Sequence, residues 1–394
     1  MREREAIIGC GAISAVGGGV GALRVAMRNN ATGLHRAPRF DSPRFQSSVV
    51  GAVPLDALAS VESDDPAWLL ATAALREARD EAHPVLSAIP SSRISLVLST
   101  TKANVEALQR AADRRPCSDT ARRHLRGDLL AADLAAEYGA GGPVQCVSLA
   151  CVSGLVAIQQ GAKLIQRGTA DAVFVVGVDH LSAFVVAGFS ALKALDPKGC
   201  RPFDRDRAGL SPGEAGAALV LVRASLASGL AAQSPRRPLI TVRGWGSTND
   251  ANHLTGPSRD GAGLAAAIRV ALNSADLRPD QIDYVNAHGT GTPYNDAMET
   301  LALTAVFGAQ GPPLSGSKGM LGHTLGAAGV LETILCVLAM RENVLPGTPG
   351  LGVPTDGAPA SLLRDPHPAV SPRHILKLNT GFGGVNGALV LSHE

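Results

Sequence analysis

The feature that most narrows what this chain can fold into is a pattern that occurs twice along it. The first half reads as a strand, the Gly-rich turn Gly9-Cys10-Gly11, a later helix, and a strand and loop at Leu96–Thr101. A strand then enters a helix at Ala150-Cys151-Val152-Ser153-Gly154, followed by a strand pair near Val173 and Ala218. The second half restarts at Thr241-Val242-Arg243-Gly244-Trp245-Gly246. It continues through a helix at 261–274, a strand and loop at Tyr284–Thr292, a Gly-rich turn into a helix at 326–341, and strands at 375–378 and 388–391. The β-like runs (Ala6–Ile8, Ile94–Leu98, Ala172–Val178, Gly216–Leu221, Leu239–Val242, Ile282–Val285, Ile375–Leu378, Ala388–Leu391) are short and apolar without alternation, as strands covered on both faces are. Helical periodicity fills the gaps at Trp68–Ala82, Gly154–Arg167, Gly261–Ser274, Asp296–Phe307 and Gly326–Arg341. The expectation is α/β layering, with halves 1–238 and 239–394 stacked as one unit. On pattern alone, two independent doubly wound domains stay open.

Composition excludes several function classes. With 36 basic and 34 acidic residues the net charge is +2, aromatics are 3% of the chain, and no basic block occurs, which argues against a nucleic-acid binder. The six cysteines (Cys10, Cys117, Cys146, Cys151, Cys200, Cys336) form no CxxC pair and no Cys/His cluster with zinc spacing. No apolar stretch reaches the roughly 18 residues of a membrane span, and the N-terminus lacks the apolar core of a secretory signal. The expectation is a cytoplasmic protein with free thiols, no membrane partner and no metal. The polar segment Arg110–Tyr138 carries Arg110, Arg114, Arg115, Arg122, Arg123 and Arg126. It reads equally as a solvated helical excursion or as a cap and landing surface for an acidic partner. Val344–His367, rich in Pro and Gly, reads as an irregular surface loop.

Four segments carry candidate chemistry. Cys151 stands where Val147–Ala150 turns into a helix, so the macrodipole favours its thiolate and its own N–H can reach a developing oxyanion. From spacing alone a buried structural cysteine is the stronger reading. His288 lies in Asn286-Ala287-His288-Gly289-Thr290-Gly291-Thr292-Pro293, a loop after a strand, where an imidazole is free to face a cleft. A surface histidine is the plain alternative. Lys318 and His323 lie five residues apart in Ser315-Gly316-Ser317-Lys318-Gly319-Met320-Leu321-Gly322-His323. That turn lacks the GxxxxGK[ST] order of a phosphate loop, and Gly9-Cys10-Gly11 lacks the full dinucleotide pattern, so both readings are rejected. Phe382, in Asn379-Thr380-Gly381-Phe382-Gly383-Gly384-Val385-Asn386, is flanked by glycines and reads as a mobile gate or as part of a tight hairpin.

Taken together, these segments resemble the β-ketoacyl-acyl carrier protein synthases of the thiolase fold, closer to the Cys-His-His class than to the Cys-His-Asn class. The likeness extends over Ile8–Ser14, Cys200-Arg201-Pro202-Phe203-Asp204, Gly213-Glu214-Ala215 and Asp250–Pro257. It implies a five-layered α-β-α-β-α arrangement of two pseudo-repeated halves, the first carrying the nucleophilic Cys and the second both catalytic His. It implies a decarboxylative Claisen condensation: Cys151 takes an acyl chain, and His288 and His323 act on a malonyl-type extender. Lys318 would hold the charge network around His323, with Glu299 as its acidic partner and Asp296 in support. The N–H groups of Cys151 and Phe382 would form the oxyanion hole, with Phe382 also gating access, and Thr290 and Thr292 would bond the pantetheine arm. No cofactor is implied beyond the phosphopantetheine that arrives on the acyl carrier protein. The implied assembly is a homodimer, or a heterodimer with a chain-length-factor-like homologue.

Two departures bear on substrate: Val152, where a small or hydroxyl residue is more usual, and Thr380, where a Phe is common. Val185–Phe189 is placed along the tunnel by position. Ser99–Asn104 differs from housekeeping fatty-acid enzymes and leans toward aryl-polyene or type II polyketide assembly. The rivals are a thiolase-fold acyltransferase that does not condense, and a silent chain-length-factor-like subunit.

Overall fold

The computed structural model describes residues 4–58, 64–227, 239–369 and 371–393. Ten principal strands are β1 (Glu5–Ser14), β2 (Ile94–Ser99), β3 (Val144–Val147), β4 (Ala172–Asp179), β5 (Ala215–Arg223), β6 (Ile240–Asn249), β7 (Tyr284–Ala287), β8 (Leu314–Gly316), β9 (His374–Gly381) and β10 (Val385–His393). The principal helices are α1 (Pro66–Leu86), α2 (Ser153–Gln166), α3 (Ala262–Ala275), α4 (Pro293–Phe307) and α5 (Ala328–Glu342).

The repeat is a repeat of topology. Strand order is β3-β2-β4-β5-β1 in the first half and β8-β7-β9-β10-β6 in the second, with the same sequence of parallel and antiparallel pairings. The halves are also continuous: β1 pairs with β6 through Glu5–Val242, Ala6–Thr241 and Ile7–Ile240. Helix α1 covers the outer face of the first half-sheet, and α3 with α4 covers that of the second. Helices α2 and α5 fill the middle layer, touching both half-sheets and each other. Every residue of α5 from Ala328 to Met340 is buried, as expected of a helix apolar on nearly every side, with Glu332 and Thr333 the polar exceptions. Five layers result, α-β-α-β-α. The boundary expected at residue 238 lies outside the described residues.

The Gly-rich turn expected at Gly9–Gly11 is instead strand: both residues lie inside β1. They are glycine because α1 lies directly on them; a Cβ on Gly9 would sit 2.2 Å from the Ala78 carbonyl oxygen, and one on Gly11 would sit 1.9 Å from that of Ala74. Gly244 and Gly246 of β6 meet Ala271 and Ala267 of α3 in the same way. One packing device thus serves both halves.

Arg110–Tyr138 forms three helical pieces (Val105–Ala112, Asp119–Arg123, Gly127–Tyr138). Five of its six arginines are paired locally: Arg110 and Arg115 with Glu106, Arg122 with Asp119, Arg123 with Asp133, Arg126 with Asp128. This favours the solvated reading over a basic landing surface. Val344–His367 is irregular apart from the short pairing of Val344–Leu345 with His367–Pro368.

Candidate active site

The nucleophile candidate sits on a strained turn. Ala150 adopts φ +48°, a left-handed conformation unusual for alanine, which turns the chain from β3 into α2. The Ser153 hydroxyl fixes that turn, accepting from the Leu149 N–H (2.7 Å) and donating to the Ala150 carbonyl (2.6 Å). Two helix N-termini then meet. A Cβ on Gly154 of α2 would lie 2.8 Å from Gly329 Cα of α5, so only glycine allows α2 and α5 to approach this closely. That approach carries Cys151 to the segment preceding α5, where His323 waits: His323 Nε2 lies 2.9 Å from Cys151 Sγ.

His288 follows β7. Its N–H and that of Gly289 donate to Glu299 of α4 at 2.6 and 2.8 Å, which anchors the loop. The two imidazoles stand edge to face with centroids 5.4 Å apart, and the ligand atoms of Cys151, His288 and His323 lie within 4.8 Å of one another.

The hydrogen bonds at Nδ1 settle what each ring presents. His323 Nδ1 accepts the Leu325 N–H (3.2 Å), so the ring proton resides on Nε2. His288 Nδ1 faces two donors, Asn379 Nδ2 (3.0 Å) and Lys318 Nζ (3.3 Å), which again leaves the proton on Nε2. Burial, with Lys318 nearby, holds His288 well below the usual histidine range and His323 down at about 3, so both rings are neutral. Two imidazole N–H groups therefore point into one cleft.

Behind His288 lies a buried charge cluster. Glu332 of α5 receives Lys318 Nζ at Oε1 (2.7 Å) and Lys377 Nζ at Oε2 (2.9 Å), with Ser317 Oγ (3.0 Å) and Asn379 Nδ2 (2.9 Å) completing it. The two ammonium groups outweigh the burial penalty and hold Glu332 at about 2. Cys151 behaves differently. Burial pushes its thiol up to about 11, although Lys318, Lys102 and the Phe382 N–H each favour the thiolate. Burial is the largest of these influences on the thiol.

The cleft itself encloses about 430 Å³. Cys151, His288, His323, Thr290, Thr292, Thr380, Phe189 and Phe382 line it, as do Asp250, His253 and Thr255–Pro257. Phe382 sits in the hairpin turn between β9 and β10, 6.1 Å ring to ring from Phe189.

Residues 3–227 match the family description "Beta-ketoacyl synthase, N-terminal domain", and residues 239–351 match "Beta-ketoacyl synthase, C-terminal domain". The chain belongs to the β-ketoacyl synthase family. The tetracenomycin polyketide synthase ketoacyl synthase alpha subunit of Streptomyces glaucescens is 33% identical over 99% of this chain and 97% of its own. The 3-oxoacyl-acyl-carrier-protein synthase 2 of Coxiella burnetii is 29% identical over 99% of both. Among solved structures, a chain of the ishigamide ketosynthase/chain length factor superposes with a TM-score of 0.91 at 30% identity, covering all of both chains. This chain is accordingly a β-ketoacyl synthase, an acyl-transferring condensing enzyme of thiolase-like fold.

In this ketosynthase the sequence-predicted residues come together with two corrections. Lys318 does not pair with Glu299, which is occupied by backbone N–H groups; its acid is Glu332. Nor does Lys318 touch the His323 ring: its ammonium bonds the His288 carbonyl and faces His288 Nδ1. Asp296 is buried and accepts the Phe203 N–H (2.8 Å) and the Gly291 N–H (3.2 Å), a loop anchor. Thr290 and Thr292 bond each other at 2.8 Å on the cleft wall. Of Val185–Phe189, only Phe189 lines the cleft. Thr380 does line it, donating to Asn295 Oδ1 at 2.7 Å. Sequence reasoning missed Glu332, Lys377 and the bridging role of Asn379. The signal was present: Glu332 is an acid inside Val-Leu-Glu-Thr-Ile-Leu, and Lys377 a base inside Ile-Leu-Lys-Leu. A charge in such a run must find a partner.

Proposed function

We propose that Cys151 is the acyl-accepting nucleophile of a decarboxylative condensation, with His288 and His323 as the enolate-stabilising pair. The observation that carries this reading is the convergence of two neutral Nε2–H groups beside the Cys151 sulfur. In the first step the Cys151 sulfur attacks the acyl thioester carbonyl as its thiol gives up its proton. The carbon–sulfur bond to pantetheine breaks, and the departing carrier thiolate takes up that proton. The N–H groups of Cys151 and Phe382 receive the tetrahedral oxyanion, a role supported by the Phe382 N–H reaching the sulfur. In the second step the malonyl carbon–carboxylate bond breaks, and carbon dioxide leaves. The electron pair stays behind as a thioester enolate whose oxygen accepts both Nε2–H groups. The enolate carbon attacks the acyl-Cys151 carbonyl, and the thiolate departs to regenerate the enzyme. Holding both partners in one cleft makes bond formation effectively intramolecular.

The tautomers bear on metal as well. A ligand must offer a lone pair, whereas both Nε2 atoms here carry protons, so the Cys-His-His group reads as a catalytic triad and not a metal site. Thr290 and Thr292, on the cleft wall, fit hydrogen bonding to the pantetheine arm. Phe382, half-exposed beside Phe189, fits a gate. The acyl carrier protein follows from the chemistry and from the names of relatives. A chain-length-factor-like partner, as in the name of the ishigamide structure, is proposed alongside a homodimer. A silent partner-subunit role is disfavoured by the intact Cys151, His288 and His323. Six free cysteines support a reducing cytoplasmic setting, and among the described residues no helix is long and apolar enough to cross a membrane.

The test is intact-mass spectrometry after incubation with acyl carrier protein thioesters of graded chain length. The expected outcome is one acyl mass on the wild type and none on Cys151→Ala. Absence of any acyl adduct, with or without a chain-length-factor-like partner, overturns the reading.

A further inference from the structure

The mechanism above leaves one buried cation without a task. Lys377 lies in β9, fully buried, and needs compensation that a surface lysine would find in water. Burial and Lys318 pull the Lys377 pKa below its ordinary value while Glu332 holds it up; with Lys377 protonated, the cluster carries two ammonium groups against one carboxylate. Nor does the Lys377 ammonium rely on Glu332 alone. It bonds the Leu378 carbonyl at 2.5 Å and lies 3.4 Å from both the Asn286 and Ala287 carbonyls, with Glu332 Oε2 at 2.9 Å. Three peptide carbonyls and one carboxylate oxygen make an all-oxygen cage, the donor set of a hard cation. Here the cation is tethered to the chain.

The cage is connected to the reacting groups by a short path. Glu332 Oε2 accepts from Asn379 Nδ2 (2.9 Å), and the same amide nitrogen donates to His288 Nδ1 (3.0 Å). The carbonyls of Asn286 and Ala287 belong to the strand end that delivers His288. We propose that Lys377 is a positioning residue for the condensation step: its tethered ammonium fixes Glu332, Asn379 and the end of β7 so that His288 keeps its Nε2–H aimed at the enolate, and it adds the surplus positive charge that an enolate needs. This rests on the condensing reading of His288 and names a residue that reading does not require. Acylation of Cys151 uses neither His288 nor the cage, so Lys377 acts on the second step alone.

Two substitutions separate charge from volume. Lys377→Met removes the ammonium and keeps the packing, while Lys377→Ala opens the cage to a free cation. In buffer whose only cation is bulky and organic, both variants acylate Cys151 within about twofold of the wild type. Condensation with malonyl carrier protein falls about 10- to 100-fold, in kcat more than in KM, as loss of an outer support to a catalytic group does. Potassium or ammonium ions restore Lys377→Ala at least severalfold and leave the wild type and Lys377→Met unmoved.

The proposal is overturned by condensation at the wild-type rate in either variant, or by loss of acylation and condensation together. A folded Lys377→Ala that no cation restores also overturns it, as does failure of both variants to fold, which would assign Lys377 to stability alone. If the wild type itself forms no acyl-Cys151, the condensing reading falls first, and this inference with it.

Discussion

The two halves share strand order, pairing sense and even the glycine pair that seats a helix on the first strand, yet they bury opposite kinds of chemistry. The first half supplies a thiol at a strained turn, and its main buried anchor is Asp179 at the end of β4. That carboxylate accepts mostly neutral donors: Thr100 Oγ1 (2.9 Å), Thr101 N–H (3.0 Å) and Oγ1 (2.7 Å), and Gly326 N–H (2.7 Å), with Lys102 at 3.2 Å and partly solvated. The second half anchors Glu332 with two fully buried lysines. A shared scaffold therefore fixes where the polar groups stand and leaves their charge free to differ. The first half keeps its nucleophile protonated by burial, and the second half keeps a positive reserve for an anionic intermediate.

That contrast makes a ranked prediction. Glu332→Ala strands two buried ammonium groups and should cost about 3–5 kcal/mol or abolish folding, because breaking a buried pair leaves charge uncompensated. Asp179→Asn retains a side-chain acceptor for mostly neutral donors and should cost about 1–3 kcal/mol. Urea denaturation of both variants measures the order, and equal or reversed costs would erase the distinction between the halves. The same anchor should give an acid limb. Glu332 is held at about 2 against an ordinary 4.5, so the unfolded chain takes up a proton that the folded chain refuses. Its stabilisation is complete above about pH 4.5 and is lost as pH falls toward 2. Glu332→Gln, compared with wild type in urea midpoints across that range, should show a shallower fall; an unchanged slope would remove Glu332 as the source.

How much of this could be read in advance follows from the same contrast. The strands buried on both faces announced themselves as apolar runs, and the helices by their period. β8 escaped because it is three residues long, and the strand expected to lead into the helix at Ala150 is β3, which ends at Val147. Gly9 and Gly11 were legible as constrained but not as strand, since what constrains them is a helix some 65 residues away in sequence. His288, His323 and Lys318 stood out because segments dense in glycine carry them, and Cys151 because it stands where an apolar segment turns into a helix. The Lys318 partner was misassigned because spacing along a chain says nothing about which of two buried acids faces it. Glu299 satisfies its burial with backbone N–H groups, and Glu332 meets the lysines across the middle layer.

The smallest expected effect tests the first half on its own. Because burial holds the Cys151 thiol at about 11, its reaction with iodoacetamide should quicken about tenfold per pH unit from 7 to 10, with no plateau near 8.5. Lys102 favours the thiolate and Asp179 opposes it. Lys102→Met should therefore slow alkylation at pH 8, by about two- to threefold at the high effective dielectric of a partly solvated lysine. Asp179→Asn should quicken it by a similar factor. Opposite signs would tie the nucleophile to its own half's anchor through charge alone. Same-sign changes would mean that both variants act by shifting the turn at Ala150, and the electrostatic account of the first half would have to give way to a steric one.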